Sequence, residues 1–215
     1  MPNQNLTHIT LLLDRSGSMN NIQTDIIGGV NAFFDAQRKS ATPITTTLVQ
    51  FDSKDPFEII AENVSLDHVP KLSQDIYRPR GQTPLFDAIG QGITSLDSYL
   101  CELKADEAPG DVVFVIVTDG KENASRHFTR LHIMDLIKNK ELSGWKFIFL
   151  SSDLSAVNEA RSFLIRESRS VHFDKENTAD SFSLMSRKIA NYLSINNSES
   201  LDFDDNERKS LLKKK

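Results

Sequence analysis

The chain has 215 residues, 39% of them hydrophobic and 26% charged, a balance that fits one soluble α/β domain with a buried core. With 25 Lys and Arg against 30 Asp and Glu the net charge is −5, so no global field draws the protein to nucleic acid, and nucleic acid is not an expected partner. The apolar runs, such as residues 112–117, are too short to cross a bilayer, and the polar first seven residues lack the basic-then-apolar order of an export signal, so the expected location is the cytoplasm.

In chain order, residues 8–13 are apolar and β-branched and break into Asp14-Arg15-Ser16-Gly17-Ser18, the pattern of a buried strand entering a polar loop. Ile22, Ile26, Ile27, Val30, Phe33 and Phe34 then recur at helical spacing, predicting a helix that ends near Lys39 and is capped by Asn20 or Asn21. Residues 45–51 and 57–64 favour β structure and flank a turn-forming stretch, which predicts a hairpin and an antiparallel edge strand. Helical periodicity resumes from Leu85 to Leu100, with Pro84 suited to the first turn, so Thr83 lies at a helix N-terminus.

The most continuous apolar run, residues 111–118, has the character of a central strand covered on both faces, and it ends at Asp119-Gly120. Beyond it the pattern predicts a helix over 129–139, a strand over 146–150, a helix over 156–164, a short strand near Val171 and a helix over 180–193. The fold class is therefore α/β: a doubly wound, mostly parallel six-stranded sheet with one antiparallel edge strand and helices on both faces. Ligand sites in this architecture form outside the carboxyl ends of the strands, where the Asp14 and Asp119 loops lie. Residues 194–215, rich in Asn, Ser, Asp and Lys, are too polar to pack a core and predict a flexible tail outside a 6–193 domain.

Asp14, Ser16 and Ser18 occupy alternate positions after a buried strand, so an extended turn can aim three oxygen-bearing side chains at one point. Thr83 and Asp119 can complete a set of two carboxylates and three hydroxyls, with no nitrogen or sulfur, which suits a hard cation: magnesium best, manganese next. Three neutral hydroxyls donate little charge, so a carboxylate from outside is an attractive further ligand.

Leu11-Leu12-Leu13-Asp14-Arg15-Ser16-Gly17-Ser18-Met19, Gly81-Gln82-Thr83-Pro84-Leu85-Phe86-Asp87-Ala88-Ile89 and Val117-Thr118-Asp119-Gly120 together resemble the von Willebrand factor type A family and its metal-ion-dependent adhesion site. The three blocks stand in that family's order, over about residues 6–193. The resemblance implies that Ser16, Ser18 and Thr83 give hydroxyl oxygens to the metal and that Asp14 and Asp119 act directly or through ordered water. The run from Asp119 to Arg126 is most similar to stand-alone bacterial or bacteriophage members.

The function expected is non-enzymatic: the bound cation grips an Asp or Glu side chain or a C-terminal carboxylate of a partner protein. Two alternatives are a magnesium-dependent phosphohydrolase or phosphotransferase, against which Ser16 stands where a second carboxylate would be needed, and a subunit whose ion only stabilises it. Arg15 and Arg126 are expected in ion pairs, Asp87 at the start of its helix, Trp145 and Cys101 in the core, and Arg161, Arg166 and Arg169 on a solvated surface. His127 and His132 are five apart, off the spacing of a helical zinc pair.

Overall fold

Two neighbouring strands with no polar face set the architecture. In the computed structural model, which describes residues 2–212, β1 (Asn3–Asp14) and β4 (Pro109–Thr118) run parallel in register from Thr7 opposite Asp111 to Leu13 opposite Val117. Leu11, Leu13, Val113, Val115 and Val117 point into one apolar layer, and Leu12, Val112, Phe114 and Ile116 into the other, the period-two alternation of a strand buried on both sides. Each such side chain contributes about 1.5–3 kcal/mol by leaving water.

β2 (Ile44–Phe51), β3 (Glu58–Ser65), β5 (Lys146–Ser151) and β6 (Ser170–His172) extend the sheet in the order β3-β2-β1-β4-β5-β6. All pairings are parallel except β3 against β2, the expected antiparallel edge. α1 (Gln23–Gln37) and α5 (Thr178–Ile195) cover one face; α2 (Leu85–Glu102), α3 (Arg130–Leu142) and α4 (Leu154–Ser162) cover the other. Among the described residues no helix is long and apolar enough to cross a membrane.

Four local expectations are corrected. A 3-10 turn over Gly17–Ile22 runs directly into α1, so neither Asn20 nor Asn21 caps it. Cys101 is exposed, because it stands one residue beyond the apolar stripe of α2 that ends at partly buried Leu100. Arg169 is buried: it pairs with Asp202 at 2.7 Å and donates to Ser198 O at 2.6 Å.

The tail is also packed, as far as Leu211. Leu201, Phe203 and Leu211, at 0, 4 and 1% exposure, anchor it to the α1/α5 side of the core, and α6 (Asp205–Ser210) forms within it, capped by Asp204. Three apolar anchors suffice where the average composition is polar. Residues 213–215 of the expected flexible tail lie outside the described residues.

Candidate metal centre

The parallel arrangement of β1 and β4 puts their carboxyl ends side by side, and with them Asp14, the last residue of β1, and Asp119, the first residue after β4. The loop after β1 returns past its own strand end, and Tyr77, wholly buried, donates its hydroxyl to Asp14 O at 2.6 Å to hold that turn. The segment before α2 is stitched to the same loop, Gly17 N donating to Gly81 O at 3.0 Å and Arg80 N to Arg15 O at 2.8 Å. Gly81 sits at φ 69°, a left-handed conformation that glycine adopts without a steric penalty. The loop after β4 joins them through Asn123, whose N–H donates to Thr83 O (3.1 Å) and whose Oδ1 accepts from Thr83 N (2.8 Å).

These bonds gather all five predicted residues. Ser16 Oγ and Ser18 Oγ are 3.0 Å apart, and Ser18 Oγ donates to Asp119 Oδ1 at 2.5 Å. Thr83 belongs to the same cluster: a Cβ placed on Gly120 would stand 3.4 Å from Thr83 Oγ1 and 3.7 Å from Ser18 Oγ. Asp14, Ser16, Thr83 and Asp119 are buried, whereas Ser18 is exposed, so the cluster opens to solvent on one side.

Asp14 carries the electrostatic signature of the site. Burial raises its pKa to about 7, although the Thr118 hydroxyl (2.5 Å) and the Ser16 N–H (2.7 Å) both donate to it and pull the other way. Burial next to Asp14 also pushes the Tyr77 phenol well above its ordinary range. Asp119 Oδ2 holds a cation of the protein's own, the ammonium of Lys175 at 2.8 Å, delivered by the loop between β6 and α5.

The donor set fits a hard divalent cation. It offers oxygen only, and among the described residues no group of three or more His, Cys, Asp or Glu gathers into a softer site. Neighbouring oxygens around six-coordinate magnesium at about 2.1 Å stand about 3 Å apart, the spacing of the two serine hydroxyls.

Arg15 is buried in ion pairs with Asp52 and Glu58, as expected for it, but Arg126 has no ion pair or side-chain hydrogen bond among the described residues. Asp87 lies in the first turn of α2, as expected for it, and its carboxylate also accepts the N–H groups of Arg126, His127 and Phe128 at 2.8, 2.9 and 2.8 Å. His132 caps α3 with Thr129, and Trp145 is buried. Sequence reasoning missed Tyr77, Thr118, Asn123 and Lys175. Only Thr118, adjacent to Asp119 in the third motif, had a signal that could have been followed.

No protein-family model matches the chain, and no curated protein matches it. Solved structures do. Proximal thread matrix protein 1 from the mussel byssus, with a zinc-occupied metal-ion-dependent adhesion motif, aligns at TM-score 0.57 and 18% identity over 88% of this chain and 46% of that one. The pilus adhesin SpaC from Lactobacillus rhamnosus GG aligns at 0.65 and 13% over 90% and 30%. A von Willebrand factor type A structure from Catenulispora acidiphila aligns at 0.57 and 14% over 86% and 42%. The chain spans less than half the length of each of these proteins. Sheet order, the antiparallel edge and these alignments agree: this chain has the von Willebrand factor type A fold.

Proposed function

We propose that the protein is a metal-dependent binding module in which Ser16, Ser18 and Thr83, with Asp14 and Asp119, hold a magnesium or manganese ion that in turn grips a carboxylate of a partner protein. The observation that carries this reading is the convergence of five oxygen-bearing side chains from three separate loops, with Ser18 leaving one side open to solvent. Two carboxylates balance a divalent charge only formally. The ion therefore stays electrophilic toward an incoming anion. The zinc-occupied motif of the byssus protein supports a divalent cation here, while the all-oxygen donor set favours a harder ion than zinc.

One feature favours binding over turnover, and another disfavours a purely structural ion. Asp14, the candidate nucleophile of a phosphoryl-transfer reading, is fully buried and engaged by Thr118 and Ser16 N. A purely structural ion is disfavoured because backbone bonds already tie the three loops, Gly17 to Gly81, Arg80 to Arg15 and Asn123 to Thr83. Isothermal titration with magnesium and manganese tests the metal, with Asp119→Ala expected to abolish the heat. Affinity capture with and without chelator tests the grip; a partner retained equally in both would sink it.

A further inference from the structure

A cleft of about 480 Å³ opens beside the five oxygen donors, walled by Ser53, Gln82, Asn123, Ser125, Arg126 and His127. None of the five donors lines it, but it adjoins the site through the chain: Gln82 and Pro84 flank Thr83, and Asn123 is bonded to the Thr83 backbone in both directions. Its far wall is fixed from below. Buried Asp87 binds three consecutive N–H groups of residues 126–128, and the Phe128 ring lies so close over α2 that a Cβ on Gly90 would meet it at 2.3 Å.

The charges of this wall are sorted by depth. Asp87 lines the cleft but is engaged by those N–H groups. Glu122 beside it accepts from Phe86 N, Ala124 N, Ser125 N and Ser125 Oγ at 2.6–2.8 Å. The Arg126 guanidinium and the His127 ring are different: both residues are exposed, and neither side chain has a hydrogen-bonding or ion-pairing partner among the described residues. A guanidinium beside carboxylates usually pairs with one. Here the nearby carboxylates are saturated by backbone donors, and the guanidinium is left facing solvent at the rim of a preformed cleft.

We propose that this cleft receives a second carboxylate from the same partner segment whose first carboxylate the metal grips, so that the ligand is an acidic peptide with two acidic residues a few positions apart. The proposal rests on the metal grip above and adds the partner's chemistry to it. A cleft of this volume is about 10 Å across if round, which about three residues of extended chain span. Arg126 supplies the planar fork that a carboxylate accepts in two bonds, and Gln82, Asn123 and Ser53 bring further polar groups to the walls. Because both contacts lie on one segment, the second forms at high effective concentration once the first is made.

The test uses short labelled Gly-Ser peptides carrying either one Asp or two Asp a few positions apart, titrated by fluorescence anisotropy with the full chain in magnesium, in manganese and in chelator. The two-Asp peptide is expected to bind about threefold to fivefold more tightly than the one-Asp peptide, the gain of one charge-assisted contact at an exposed guanidinium. Arg126→Ala should erase that gain while leaving the one-Asp peptide and the metal titration unchanged, and Arg126→Lys should restore part of it. A two-Asp advantage that survives Arg126→Ala, or no advantage at any spacing, overturns the cleft assignment alone. Peptide binding that is equal in chelator, or absent for every peptide while metal still binds, overturns the metal grip and the cleft with it.

Discussion

Asp14 and Asp52 stand at the carboxyl ends of adjacent strands, β1 and β2, and both are at 0% exposure. Burial alone would raise the pKa of Asp52. The N–H groups of Lys54 and Asp55 and the guanidiniums of Arg80 and Arg15 overcome it, and the carboxyl lies below its ordinary value. Asp14 has two donors and no ion-paired cation among the described residues, and burial prevails. The difference separates two uses of a buried charge. Where the chain supplies its own cations, the carboxylate is architecture. Where it supplies only neutral donors, burial leaves the carboxylate with a raised pKa, the state that the proposed metal site would draw on.

The contrast can be broken at either residue. Asp52→Ala leaves Arg15 buried without its fully buried partner and is expected to cost about 3–5 kcal/mol in chemical denaturation; a loss below about 1 kcal/mol would mean that the pair is not structural. Asp14→Asn removes a charge that the fold does not neutralise. Its melting temperature in chelator should stay level or rise by about 3 °C, while magnesium affinity falls on the order of a hundredfold or more. A protein that unfolds on this change in chelator would place Asp14 with Asp52.

His8 sharpens the comparison as a third buried titratable group, one handled by neutrality. It lies in mid-β1 at 0% exposure with Nδ1 3.0 Å from Thr45 Oγ1, and burial lowers its pKa from 6.5 to about 3. The unfolded chain takes up a proton below about pH 6.5 and the folded chain refuses it until about pH 3, so the contribution to stability is intact above that window and shrinks as pH falls through it. Between pH 7 and pH 5 this amounts to about 2 kcal/mol. Urea midpoints for wild type and His8→Gln at both pH values measure it; parallel losses would show that His8 titrates normally.

How much of this was legible in the sequence depends on how local the signal is. The unbroken apolar run of β4 and the alternate oxygens of Asp14, Ser16 and Ser18 are short-range patterns tied to strand periodicity, and the fold followed from them and from the family resemblance, as did the choice of the five residues that the structure brings together. Tyr77 and Lys175 reach the site across 63 and 56 residues, and a single hydroxyl or ammonium leaves no periodicity to detect, whereas Thr118 stands beside Asp119 in the third motif. Asp87 reads as a helix-start residue, yet its partners lie 39 to 41 positions away. The tail failed for another reason: averaging over a polar segment hides Leu201, Phe203 and Leu211, which bury it.

Lys175 gives the finest cut, because Asp119 combines both behaviours: a metal-ligand candidate already holding an internal cation. The loop that carries the lysine is pinned by the tail, Asp174 N and Asn177 Nδ2 each donating to Leu211 O at 2.9 Å. An ion drawing on Asp119 must compete with an ammonium kept within reach, but the lysine side chain is 39% exposed, so water screens much of the attraction. Lys175→Ala is therefore expected to tighten magnesium binding only a few-fold, about 1 kcal/mol or less, and Lys175→Arg to leave it near wild type. Calorimetric titration of the three proteins decides the matter. Unchanged or weaker binding by Lys175→Ala would show that the ammonium supports the site instead of competing for it, placing Asp119 beside Asp52 on the architectural side.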